Sequence, residues 1–159
     1  MSPKETIQQE MAKVIIIKAN ILCTVDSFGD ISPETVRSIR QDLSQWQHGL
    51  PEWMQLDSLL GSDPTTNNLR RVIFLVHLFY LSTVLLVARV SHWKRILYEN
   101  FDVDEELKNA IRDGVIAART GARILQLQLS EQAVFQRCWL AEYISPTNLR
   151  ISRADDHWL

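Results

Sequence analysis

Cysteine is nearly absent from this 159-residue sequence, which carries only Cys23 and Cys138. Two thiols are too few for a disulfide framework or a cysteine-built zinc site. Cys23 falls in an apolar helical run and Cys138 beside Trp139, so both read as small buried hydrophobes. Glycine and proline are scarce too, with five of each. That argues against long loops and the many tight turns of a multi-stranded β fold, and favours helices. An excess of one charge is also missing: the formal net charge is −2. A domain that grips phosphates normally shows a basic excess or a dense Lys/Arg stripe. Here Arg37, Arg40, Arg70, Arg71, Arg89, Arg112, Arg119 and Arg123 are scattered between apolar positions, as on solvated helix faces. Direct nucleic-acid binding is not expected.

The signatures of common catalytic sites are absent as well. There is no glycine-rich phosphate loop, no G-x-S-x-G elbow, no H-E-x-x-H and no C-x-x-C. "DDHWL" at 155–159 holds carboxylates and a histidine, but on a terminus that cannot preorganise a site. Asp102, Asp104, Glu105 and Glu106 read as charges at the favourable end of a helix dipole. No nucleophile–base–orienter set emerges. The chain is therefore read as non-enzymatic, with no catalytic residue, metal ligand, DNA-binding residue or cofactor assigned. The opening "MSPKETIQQE" lacks an apolar stretch behind a basic start, so no secretory signal is expected and an intracellular compartment is.

What is present is hydrophobic residues at 46% of the chain, enough for one domain with a real core. The pattern predicts an all-α domain over 1–146, with five to six helices around a central apolar helix at 69–90, and a flexible tail at 147–159. Ser2, Pro3 and Glu5 form a helix opening with a capping box. Ile7, Met11, Val14, Ile15, Ile21, Leu22 and Val25 then recur at helical spacing. Ile16 and Ile17 make the middle of this helix apolar nearly all round, which predicts cover on more than one side. A second cap-plus-proline opening at Ser32–Glu34 starts a helix whose apolar residues, Val36, Ile39, Leu43, Trp46 and Leu50, are spaced alternately 3 and 4. It ends at His48-Gly49, with Gly49 free to turn left-handed. Pro51 blocks continuation, and Trp53, Leu56, Leu59 and Leu60 begin a short apolar segment. Trp46 and Trp53 are expected to pack in the core, fixing the angle at which the chain leaves the helix.

After the loop "GSDPTTNN", Val72 to Ala88 is a run of 17 residues with no formally charged side chain. That is the lower limit of the roughly 17–25 residues a membrane span needs, and basic residues at both ends give no orientation. A buried central helix reads the same way and is preferred, because the amphipathic helices need a post to pack on. His77 within it is expected to be neutral and hydrogen-bonded, and "SHWKRILYENF" to be a connection. In the next helix Leu107, Ile111, Gly114, Ala118, Gly121 and Leu125 are traced as one face. Its small residues would let it approach the 72–88 helix closely. A last helix is expected from Ser130 to Pro146.

"LSQWQHGLPEWMQLD" resembles the L-x-x-W-x-x-x-L-P element in the regulatory region of fungal zinc-cluster transcription factors, carried by Trp46, Leu50, Pro51 and Trp53. "LVHLFYLSTVLLVARV" resembles that region's following apolar helix, with Tyr80 and Arg89 matching and Val90 where proline is common. "AIRDGVIAARTGARILQLQ" resembles its small-residue A-A-R helix through Ala117, Ala118 and Arg119. The similarity spans about 31–129. It implies an all-helical regulatory domain, the middle homology region, acting in the nucleus through small-molecule or protein contacts, in many members on secondary-metabolite or nutrient pathways. The family's six-cysteine zinc cluster has no counterpart here, so DNA binding does not carry over. The expectation is a truncated or stand-alone regulatory domain. Its partners would be proteins, a transcription factor or coregulator, with room for a homo-oligomer and no membrane. Two rivals stay open: a small membrane-associated protein spanning at 72–88, and an enzyme with an unmarked helical pocket.

Overall fold

The computed structural model describes residues 2–28, 32–61, 68–97 and 105–130. The chain divides into two units, Met1–Ile124 and Leu125–Leu159. Ser130, expected to cap a last helix, is instead the final residue of the helix Glu105–Ser130; the rest of that expected helix, 131–146, Cys138, the tail and the boundary at 146 lie outside the described residues. Every long element described is helical, and no strand occurs among the described residues. The helices are α1 (Pro3–Phe28), α2 (Pro33–His48), α3 (Leu56–Gly61), α4 (Asn68–Leu97) and α5 (Glu105–Ser130), with a 3₁₀ turn at Glu52–Met54 before α3. The all-α class and the central apolar helix are as the pattern predicts.

Local chemistry sets the helix starts. At α1 the Ser2 backbone N–H donates to Glu5 Oε2 at 2.7 Å, and the Glu5 N–H donates back to Ser2 Oγ at 3.4 Å. The bond from the Ser2 N–H, helped by the nearby Ser2 hydroxyl, holds the Glu5 carboxyl below its usual range. At α2 Ser32 is extended and accepts from the Thr35 N–H at 3.2 Å, so the second expected cap also forms.

α2 ends at His48, where the pattern predicts, but Gly49 does not turn left-handed. Gly49 is right-handed, at φ −78° and ψ −6°, and its N–H donates to the Gln45 carbonyl at 3.0 Å. The helix thus keeps its hand through the glycine, and Pro51, which has no N–H to continue the ladder, ends it. α4 outruns expectation and continues through "SHWKRIL" to Leu97. No glycine or proline lies between 69 and 97 to break it.

Four helices share one buried cluster: Ile21 from α1, Val36, Ile39 and Leu43 from α2, Val87 from α4, and Leu107 and Ala110 from α5. α1 and α4 are also tied by the Lys18 ammonium, which donates to Ser82 Oγ at 2.8 Å and lies 5.9 Å from the Phe79 ring centre. Partial burial lowers the Lys18 pKa.

Three sequence readings need correction. Cys23 is exposed rather than buried. Arg70 is no solvated arginine: it is 4% exposed, donates to the Leu59 carbonyl at 3.1 Å and lies over the Phe74 ring. The predicted double cover of α1 is also missing, since Ile15 and Ile16 are exposed while Ile17 packs on the core.

The buried face of α5 is Leu107, Ala110, Gly114, Ala117, Gly121 and Ile124. The face traced through Ile111 and Ala118 is therefore rotated by one position, and Ala118 is exposed. The close approach to α4 does occur: a Cβ built on Gly114 would overlap the Ala88 methyl.

Candidate functional site

One cleft, of about 420 Å³, is lined from α2, α4 and α5, with Leu56 of α3 at its margin. Such a volume lies within the usual range for small-molecule pockets, roughly 300–1,000 Å³. Leu43, Val84, Val87, Ala110 and Ala117 supply its apolar wall, and Ser44, Gln47, Tyr80, Arg40 and Asp113 its polar groups.

Helical spacing explains this division. Leu43 and Trp46 lie on the core stripe of α2, while Arg40, Ser44 and Gln47 sit at its edge. Tyr80 lines the cleft and stacks on Trp46 with ring centres 5.1 Å apart and planes at 27°. Its hydroxyl donates to Gln47 Oε1 at 2.8 Å. Burial, and secondarily the Asp113 charge, push the Tyr80 pKa up to about 12, so the ring stays a neutral donor.

The charges of the cleft are spent on each other. Arg40 donates from Nε to Asp113 Oδ2 at 2.9 Å and from Nη1 to Glu106 Oε2 at 2.7 Å. Arg37 Nε reaches Glu106 Oε1 at 3.3 Å. The network joins α2 to α5 with two cations against two anions. Its members are partly exposed, so it orients the helices more than it stabilises them.

Ser44 and His48 meet one turn apart, with Ser44 Oγ 3.3 Å from His48 Nδ1. No sequence motif marks this pairing, because it is an ordinary i,i+4 neighbour relation. The same Nδ1 lies 2.7 Å from the Ser44 carbonyl, which can only accept, so Nδ1 carries the proton and is not a base toward the hydroxyl. Among the described residues no group of three or more His, Cys, Asp or Glu side chains could hold a metal ion.

His77 sits at the edge of the cleft, and its Nε2 donates to the Met54 carbonyl at 2.7 Å. Burial lowers its pKa below 6.5, and the bond to Met54 only partly opposes that. The folded state thus binds the His77 proton less readily than the unfolded chain, so this contribution is complete above pH 6.5 and is lost as pH falls through the folded value. We expect the urea midpoint to drop between pH 7 and pH 5, and His77→Gln to flatten that part of the curve.

Of the residues matching the family elements, the fold brings Trp46, Tyr80 and Ala117 to this region. Leu50 is buried and Pro51 half-buried at the exit of α2. Trp53 does not join the core; it is 42% exposed, and fully buried Met54 takes the inward position of the 3₁₀ turn. With about three residues per turn, neighbours in such a turn point in very different directions. Arg89, Ala118 and Arg119 are exposed and contribute nothing to the cleft.

One described helix, Leu69–His92, is long and apolar enough to cross a membrane, with half of its most apolar window buried inside the protein. Several of its polar groups have internal partners, Arg70 on Leu59, His77 on Met54, and Thr83 Oγ1 donating to the Phe79 carbonyl at 2.9 Å, whereas the buried Ser91 hydroxyl has none among the described residues. No family model, curated protein or solved structure matches the chain.

Proposed function

We propose that this chain is a regulatory helical module that modulates transcription through protein contacts, without DNA binding or catalysis of its own. The observation that carries the protein-contact part is an exposed apolar face on α1. Along α1, Ala12, Ile15, Ile16, Ala19, Leu22 and Cys23 all face outward. Ile15, Ile16 and Leu22 are 44%, 59% and 46% exposed. A contiguous apolar patch on a folded domain marks a contact surface. The transcriptional part rests on the resemblance of the Trp46–Trp53, Tyr80–Arg89 and Ala117–Arg119 elements to the zinc-cluster regulatory region.

The test brings the chain to DNA through a separate domain. Fused to an unrelated DNA-binding domain upstream of a reporter, the chain is expected to change transcription several-fold, and the Ile15→Glu fusion to lose that effect while remaining folded. Unchanged output from a stable wild-type fusion overturns the reading.

The span-length helix supports a second reading, a membrane-associated protein. Carbonate-resistant sedimentation of the expressed chain with membranes is its signature, and a helical protein recovered in aqueous buffer without detergent refutes it.

A further inference from the structure

We propose that the outer face of α1 is a self-association surface on which a second copy of this chain docks antiparallel. This rests on reading that face as a protein-contact surface and names its occupant.

The spacing decides the geometry. Ala12, Ile15, Ala19 and Leu22 follow one another at intervals of 3, 4 and 3, the seam spacing of paired helices. Small and large residues alternate along it. In a parallel pair each residue meets its own copy, so alanine layers stay loose while isoleucine and leucine layers crowd. In an antiparallel pair centred at the level of residue 17, Ala12 faces Leu22 of the other copy and Ile15 faces its Ala19. Every layer then sets one large side chain against one small one, and the four layers fill evenly. A two-fold pair of this kind needs no second kind of surface, because the face is its own complement.

Charge points the same way. A face that pairs with its copy must not carry a free cation beside the seam, since each would meet its like. The two lysines of this stretch are held elsewhere. Lys13 binds Glu10 at 2.7 Å, and Lys18 is turned inward onto Ser82 and Phe79. The other positions beside the seam, Gln9, Ile16 and Cys23 on one flank and Met11 on the other, carry no charge. From Ala12 to Cys23 the seam is about 17 Å long at 1.5 Å per residue. That makes a small interface, at the weak and reversible end of the size range.

Sedimentation velocity on the purified full chain, from low micromolar to several hundred micromolar, tests the association. We expect a reversible shift from monomer to dimer. Ile15→Glu should abolish it, and Ala19→Leu, which sets large against large, should weaken it at least ten-fold, both with unchanged circular dichroism.

Orientation is read from Cys23. In the antiparallel pair the two copies of Cys23 lie 12 residue levels apart, about 18 Å, beyond the roughly 7 Å that a disulfide can span. In a Cys138→Ser background, mild oxidation should therefore leave the chain uncrosslinked. Adding Gln9→Cys, close to the level of the partner copy's Cys23 and on the same flank, should give an efficient covalent dimer. A monomer at every concentration overturns the proposal, whether the face is covered from within the chain or taken up by lipid vesicles. Efficient linking through Cys23 alone overturns the antiparallel register. Neither result depends on the reporter assay, so the dimer and the transcriptional reading can fail separately.

Discussion

Gly114→Ala is expected to destabilise the Met1–Ile124 unit by about 1–3 kcal/mol, although alanine is the better helix former by roughly 1 kcal/mol. In an exposed helix the substitution would stabilise. Here the new methyl would overlap that of Ala88, and both are Cβ atoms fixed directly to a helix backbone, unable to swing aside as the end of a long side chain could. Relief requires α4 and α5 to separate, which loosens contacts around Val87, Leu107 and Ala110 in the shared cluster. Gly114→Leu should therefore prevent folding. The interpretation is checked by the pair Ala88→Gly/Gly114→Ala, which removes the overlap from the other side. Its urea midpoint should recover most of the loss, short of the roughly 1 kcal/mol of propensity given up by a glycine within α4. Additive losses in the double variant would show that the helices do not meet there.

Trp46 should show an equally large effect of a different kind. Its side chain is 7% exposed and stacked on Tyr80, and Trp46→Ala is expected to cost about 3–5 kcal/mol through lost burial and the cavity left behind. Trp46→Phe should cost less than about 1.5 kcal/mol. The indole Nε1 is buried without a hydrogen-bond partner, so the native residue already carries an uncompensated donor that phenylalanine lacks. Loss of the indole's extra area and gain from removing that donor oppose each other. Equilibrium denaturation of both variants measures the balance. A phenylalanine variant as unstable as the alanine one would mean that the indole N–H has a partner in solution.

The two predictions divide what the sequence states from what packing adds. Both helix caps, the core stripe of α2 through Val36, Ile39, Leu43 and Trp46, and the apolar run of α4 were legible because each rests on residues within a few positions of one another. The approach of α5 to α4 was legible as well, since glycines kept inside a helix against their propensity need a packing reason. The face of α5 was read one position off, because small residues stand at both 117 and 118 and composition alone does not choose between them. The neighbouring helix does.

The cleft was not legible at all. Arg40 meets Glu106 and Asp113 across separations of 66 and 73 residues, and Tyr80 reaches Gln47 across 33. No local pattern marks such pairs, because their geometry exists only once α2, α4 and α5 lie together. Trp53 and Met54 show the same limit at short range, where the direction of a 3₁₀ turn placed the methionine inside and left the tryptophan at the surface.

By itself, then, the sequence determined that this chain is helical, where α1 and α2 begin, that α4 is the apolar element the others pack on, and which common catalytic motifs it does without. These follow from propensity, capping and periodicity, which act over one or two turns. The tertiary structure alone decided which arginine is buried, which tryptophan is core, where the charges cancel, and that one apolar face of α1 is left uncovered. Each of these depends on which surfaces meet across long separations in the chain, and burial is a property of the meeting rather than of either residue.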